Sequence, residues 1–202
     1  MRLALQADVR AQLGLADLPD YINAVNAAID FASLAVEDDL RTQLDRASCT
    51  DIFLPNHGET LSKFSLRRGF VDPATVTVTY QHRPSDDYRV NITAGCQFDY
   101  ELGTFWVANY VDGFRGIMSA RLTATYQAGF LPDPYDPEQY DPATLPPWLI
   151  KTCQLRARLN LVGSPAMEVA GVTSDAKSLM GQYNSLIGRK VRYLPDCILA
   201  RG

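Results

Sequence analysis

The chain has 202 residues, 47% of them hydrophobic and 21% charged, which is enough to bury a sizeable core in one large domain or in a domain with an inserted element. Its net charge of −4 argues against a dedicated nucleic-acid binder, whose domain is normally basic. The apolar runs are too short to span a bilayer, and Asp8 and Arg10 interrupt the N-terminal stretch, so neither a membrane span nor a signal peptide is expected.

In chain order, Leu5, Val9 and Leu13 recur at helical spacing and Gly14 is placed to end that helix. Asp17 is a candidate cap for a second helix, with Pro19 near its first turn. Ile22, Val25, Ile29 and Ala32 form one apolar stripe, while Asn23, Asn26 and Asp30 face away. Leu40 and Leu44 extend the helical reading past a break at residues 37–39, to about residue 46.

The period then changes to that of strands. Residues 51–55, 63–67, 75–81, 87–92, 97–102, 104–108 and 117–127 are short segments rich in β-branched and aromatic residues. Asn56-His57-Gly58 and Leu102-Gly103 suit hairpin turns. In the last strand Leu122, Ala124 and Tyr126 alternate with Thr123, Thr125 and Gln127, a half-buried pattern. A stiff acidic loop follows over residues 131–146, with Pro132, Pro134, Pro137, Pro142 and Pro146.

Helical spacing returns after Pro147, with Trp148, Thr152, Leu155 and Leu159 on one side and Lys151, Arg156 and Arg158 nearer the other, up to Gly163. Leu179, Tyr183, Leu186 and Ile187 suit a further short helix, weakened by Gly181. The sequence therefore predicts an α+β fold: a small helical bundle (residues 3–46 and 147–162), an inserted antiparallel β-sheet region over about 50–130, and an extended C-terminal tail. Ile22, Val25, Ile29, Leu155 and Leu159 are expected to be buried together.

Catalytic equipment is hard to find. No glycine-rich phosphate loop occurs, and the two histidines, His57 and His82, fall in predicted turn and strand-end positions. Cys49, Cys96, Cys153 and Cys197 lack metal-ligand spacing and read as buried or incidental thiols. Asp133, Asp136, Glu138 and Asp141 lack the spacing and central glycine of a calcium loop. Phe98, Tyr100, Phe105, Trp106 and Tyr110 suit either a sheet core or, as an alternative, a sugar platform. Arg67-Arg68 suits an exposed turn or a phosphate contact. The expectation is a protein with no enzymatic activity, no cofactor and no metal.

The order of segments resembles the head–tail connector (adaptor, or head-completion) proteins of tailed bacteriophages and gene transfer agents. "INAVNAAIDFA" (22–32) resembles the alanine-rich second helix of that family, and "LRRGFVDPATVTVTY" (66–80) its strand, Gly-turn and Val/Thr strand. "DYRVN" (87–91) and "GTFWV" (103–107) resemble the short strands that follow. "RLTATYQAGF" (121–130) and "LPPWLIKTCQLRARLNL" (145–161) are similar to its Tyr-x-Ala-Gly strand end and Pro-initiated helix.

The resemblance implies a virion structural protein over residues 1–170, with 171–202 as a C-terminal arm. It implies a ring of about twelve copies under the portal. That ring would extend the channel through which DNA passes without sequence-specific binding, and would offer a docking face to a tail terminator or other neck protein. It implies a location in the virion neck, with assembly in the host cytoplasm and no membrane partner.

Tyr135 and Tyr140 are the expected anchors to a neighbouring subunit or the tail. The C-terminal arm holds five basic residues against two acids, a charge of +3 that leaves −7 on the rest. It is assigned to portal docking, with Leu179, Tyr183, Leu186 and Ile187 as apolar contacts and Arg189, Lys190 and Arg192 as charged ones, the alternative being that it wraps its own acidic body. The alternatives are a tail-side virion protein, such as a tail terminator or baseplate component, and a β-rich carbohydrate-binding module.

Overall fold

A computed structural model of the chain describes residues 1–14, 21–54, 63–81, 88–107, 121–164, 176–188 and 190. The expectations for Asp17, Pro19, the 56–58 turn, His57, His82, Tyr110, Arg189, Arg192 and Cys197 lie outside them. The chain divides into two compact units. Unit 1 comprises Met1–Arg41 and Phe130–Val191, and unit 2 comprises Thr42–Gly129 and Arg192–Gly202.

Unit 1 is helical. Helix α1 spans Gln6–Gln12 and buries Val9, with Leu13 buried just beyond it and Gly14 at φ 68°. Helix α2 spans Ile22–Leu40 and buries Val25, Ala28, Ile29, Ala32, Ser33, Val36 and Leu40. This helix runs through residues 37–39 without a break and stops earlier than residue 46, because Arg41 takes the left-handed conformation at φ 53°. The Arg41 N–H bonds back to the Asp38 carbonyl at 3.0 Å, which closes the last turn.

Helix α3 spans Pro147–Leu161, with Pro147 at the first helical position, where its missing N–H and fixed φ suit a helix start. It packs on α2, and Asn160 Nδ2 donates to the Ala28 carbonyl at 3.3 Å. Helix α4 spans Ala176–Ile187 and packs on α3 with Leu179, Tyr183 and Ile187 buried. The expected core is therefore partly redrawn. Val25, Ile29 and Leu155 are buried, whereas Ile22 and Leu159 are only half-buried. Helix α3 packs on α2 and α4 and also touches α1, so its buried arc also takes in Leu149, Cys153, Ala157 and Leu161.

Beneath α2, the Leu3 N–H donates to Ser33 Oγ at 3.1 Å, and the Ser33 hydroxyl donates to the Ile29 carbonyl at 2.9 Å. With that hydrogen committed, the Cys153 thiol is the donor in its 3.5 Å contact with Ser33 Oγ. Burial pushes this thiol up to about 11, as expected for a cysteine serving as a small core residue.

Unit 2 holds two antiparallel sheets. The strands are β1 (Ala47–Phe53), β2 (Lys63–Ser65), β3 (Thr77–Gln81), β4 (Val90–Asn91), β5 (Cys96–Asp99), β6 (Thr104–Val107) and β7 (Arg121–Ala128). One sheet has the order β1-β7-β3-β4 and the other β2-β6-β5. In β7, Leu122, Ala124, Tyr126 and Ala128 are buried and the residues between them are not, as the period of two predicts. Leu122 stands opposite Phe53 on one side and Tyr80 on the other.

Phe53, Phe64, Phe98 and Phe105 supply aromatic contacts with ring centroids 5.0–5.7 Å apart. A buried carboxylate, Asp51, sits in β1 facing this interior. Its Oδ2 accepts from the Arg67 N–H at 2.6 Å and the Tyr126 hydroxyl at 2.7 Å, and the Arg67 guanidinium lies 3.6 Å from Oδ1. Those partners offset the cost of taking a charge out of water. Burial, and then Asp51, push the Tyr126 hydroxyl well above the ordinary range, so it remains a donor.

Candidate interaction surfaces

No group of three or more metal-ligating side chains occurs among the described residues, and none of their helices is long and apolar enough to cross a membrane. The side chains with outward-facing chemistry belong instead to α2, to the loop over 131–146, and to the seam between α3 and α4.

On α2, the buried positions occupy one arc of the helix. At 100° per residue, Ala24, Ala27, Phe31, Leu34 and Asp38 fall together on the opposite arc. Phe31 is 68% exposed and Leu34 61% exposed. Two adjacent large apolar side chains, standing in water between alanines and one acid, make a surface suited to protein contact. The sequence contains the signal as a second 3-4-3 spacing of apolar residues, but a helix that is apolar on two sides reads as one inside a core.

The proline-rich loop is more tightly closed on itself than expected. The acids cap its own turns: Asp133 accepts from the Tyr135 N–H, Asp136 from the Glu138 N–H, and Asp141 from the Ala143 N–H, at 2.7–3.1 Å. The Arg2 N–H donates to the Glu138 carbonyl at 2.8 Å, and the Tyr140 N–H donates to the Arg2 carbonyl at 3.1 Å. The Arg2 guanidinium joins Asp30 at 2.7 Å and Glu138 at 3.2 Å.

Tyr140 is correspondingly not an outward anchor. It is 3% exposed, packs edge-on to Phe130 with centroids 6.3 Å apart, and donates from its hydroxyl to Glu37 at 3.2 Å. Tyr135, at 96% exposed, is the aromatic this loop presents to solvent. Tyr140→Ala should destabilise unit 1 by about 3 kcal/mol, the usual loss for removing a buried ring. Urea denaturation followed by circular dichroism reads it, and an unchanged midpoint would mean that the loop is not tied down at this residue.

The residues assigned to portal docking divide. Leu179, Tyr183 and Ile187 face α3 inside unit 1, and the Tyr183 hydroxyl donates to Asp39 while the Arg156 guanidinium lies over its ring at 5.4 Å. They hold α4 to its own unit because α3 already supplies the apolar face they need. Leu186 is half-buried beside them, and the Lys190 ammonium lies over the Trp148 ring at 5.3 Å.

Between α3 and α4 a groove of about 470 Å³ is lined by Lys151, Leu155, Ser178, Gly181, Gln182, Ser185 and Leu186. Leu155 forms its apolar floor at 4% exposed, Gly181 leaves open space on one wall, and Lys151 stands exposed at the rim.

In unit 2 the other sequence candidates are structural. Phe105 is fully buried, and Phe98 stacks on it and on Tyr100. The half-buried Trp106 carries the Lys63 ammonium over its ring at 5.2 Å. Arg67 serves Asp51, and Arg68 Nη1 donates to the Asp45 carbonyl at 2.8 Å, so both arginines hold the segment before Gly69.

No family model matches the chain, and no curated protein matches it. Solved structures similar to it include two from gene transfer agent particles. One is described as the neck of an empty GTA particle computed with C6 symmetry, with 16% identity and a TM-score of 0.43, covering 98% of this chain and 93% of the other. The second is described as the virion of a native gene transfer agent particle, with 18% identity and a TM-score of 0.45 over the same shares. At such identities and TM-scores neither likeness carries a functional argument.

Proposed function

We propose that the chain is a structural protein of a phage-type or gene-transfer-agent-type virion, acting in the neck as a head–tail adaptor without enzymatic activity. The observation that carries this reading is the outward face of α2, where Phe31 and Leu34 stand exposed on a rigid helix. The segment order that resembles the connector family supports it, as does a loop whose acids and prolines fix an exposed Tyr135 in place. Copies form a ring of about twelve under the portal and lengthen the DNA channel. The ring meets the tail terminator or another neck protein on its far side. Portal contact is assigned to the basic residues Arg189 and Arg192, since α4 itself is engaged with α3.

Disrupting the gene in a producing strain tests the reading. Electron microscopy should find filled heads without tails, and the purified protein, added back, should restore tailed particles. Intact heads bearing tails of abnormal length would place the protein on the tail side instead. Normal tailed particles would overturn both versions.

A further inference from the structure

Three surfaces of unit 1 are candidates for a partner: the outward face of α2, the α3–α4 groove and the tip of the 131–146 loop. The first two match each other. One presents Phe31 and Leu34 as apolar knobs with the exposed carboxylate of Asp38 alongside. The other presents an apolar floor, Leu155, an open wall at Gly181, and the exposed ammonium of Lys151 at its rim. Knob meets hollow, and acid meets base.

Their placement also fits. Cys153 and Asn160 mark the side of α3 that meets α2, through Ser33 and Ala28, while Trp148 and Arg156 face Lys190 and Tyr183. At 100° per residue Lys151 lies about 180° around α3 from Asn160. The groove therefore opens away from α2, and the exposed face of α2 points away from α3. A molecule cannot join these two surfaces to each other, but two molecules can.

We propose that the α2 face of one copy seats in the α3–α4 groove of a second copy, with Phe31 and Leu34 over Leu155 and Gly181 and with Asp38 near Lys151. Because donor and acceptor surfaces differ and lie on opposite sides, the contact is heterologous: it repeats from copy to copy and closes into a ring when the rotation allows. This rests on the proposed role as an assembly subunit and names the surfaces through which that subunit meets its own kind.

Two variants of the full chain test it. Phe31→Asp spoils the face, and at an exposed site it should leave stability within about 0.5 kcal/mol of wild type. Gly181→Leu fills the groove and should support α4, since glycine is a poor helix former. Sedimentation velocity over a concentration series should find each variant at least about tenfold weaker in self-association than wild type, as for loss of one interface hot spot.

Mixed one to one, the pair retains a single productive junction, the Gly181→Leu face in the Phe31→Asp groove, so the mixture should form dimers and nothing larger. A wild-type protein that stays monomeric, variants that assemble like wild type, or a mixture without dimers would each overturn the proposal. Gene disruption that still yields tailless heads would leave the adaptor reading standing in that event, so the two fail separately.

Discussion

Replacing Ile29 with aspartate is expected to cost unit 1 at least about 4 kcal/mol, a substantial part of the stability of a typical domain. Ile29 has no exposed surface, and it sits between Val25, Ala32 and Ser33 on the side of α2 that meets α3. Its own carbonyl already accepts the Ser33 hydroxyl, which in turn serves Leu3 and Cys153, so the layer beneath it is fully committed.

An aspartate would remove a branched apolar side chain and set a carboxylate in its place. The charged form lacks water there, and the neutral form requires protonation far above the ordinary carboxylate range. The urea midpoint should fall sharply at neutral pH, and part of the loss should be recovered as the pH drops toward 4 and the carboxyl protonates before burial. An unchanged midpoint would mean that this face of α2 is not the core of unit 1. Phe31→Asp, two residues on, supplies the contrast, since the same charge at an exposed position should change little.

Ile29 and Phe31, two residues apart on α2, differ sharply in burial. Periodicity located the helices and most strands, and in β7 it assigned Leu122, Ala124 and Tyr126 to the buried side, because that strand has one sheet interior to face. On α2 it chose the side of Val25, Ile29 and Ala32 as buried, but it did not mark Phe31 and Leu34, which keep the same spacing as a core stripe, as an exposed apolar face. In α3 it placed Leu159 with the core and left out Leu149, Ala157 and Leu161, because contact with both α2 and α4 widens the buried arc beyond one stripe.

Long-range partners were illegible for a different reason. The hydroxyl of Tyr140 meets a carboxylate 103 residues away, and that of Tyr126 meets one 75 residues away. Nothing local in "PEQYDP" or "TDIF" announces such pairs. The same holds for the groove, which exists only because α4 returns to α3 with Gly181 on its open side.

The other large effect is expected at Gly129, where alanine should cost unit 2 more than about 4 kcal/mol. Gly129 ends β7 at φ 87°, a left-handed conformation that alone costs an L-residue about 1–2 kcal/mol. A Cβ built there would lie 2.3 Å from the Asp45 carbonyl oxygen and 2.5 Å from that of Leu44. Both atoms are main chain, so no side-chain rotation relieves the clash.

The backbone cannot easily retreat either. The Gly129 N–H is held by the Phe70 carbonyl at 3.0 Å, and the next residue back, Ala128, pairs with Ala47 at the start of β1. Moving Gly129 outward therefore pulls on the first register pair of the sheet, and on Arg46, which bridges Gln127 and Asp72. Gly163 gives the control: its φ is 77°, but nothing lies within 4 Å of a built Cβ. Gly163→Ala should lose only the conformational part, about 1 kcal/mol. Thermal denaturation of both variants separates strain from contact, and equal losses at the two positions would mean that β1 and β7 do not close against each other at Gly129.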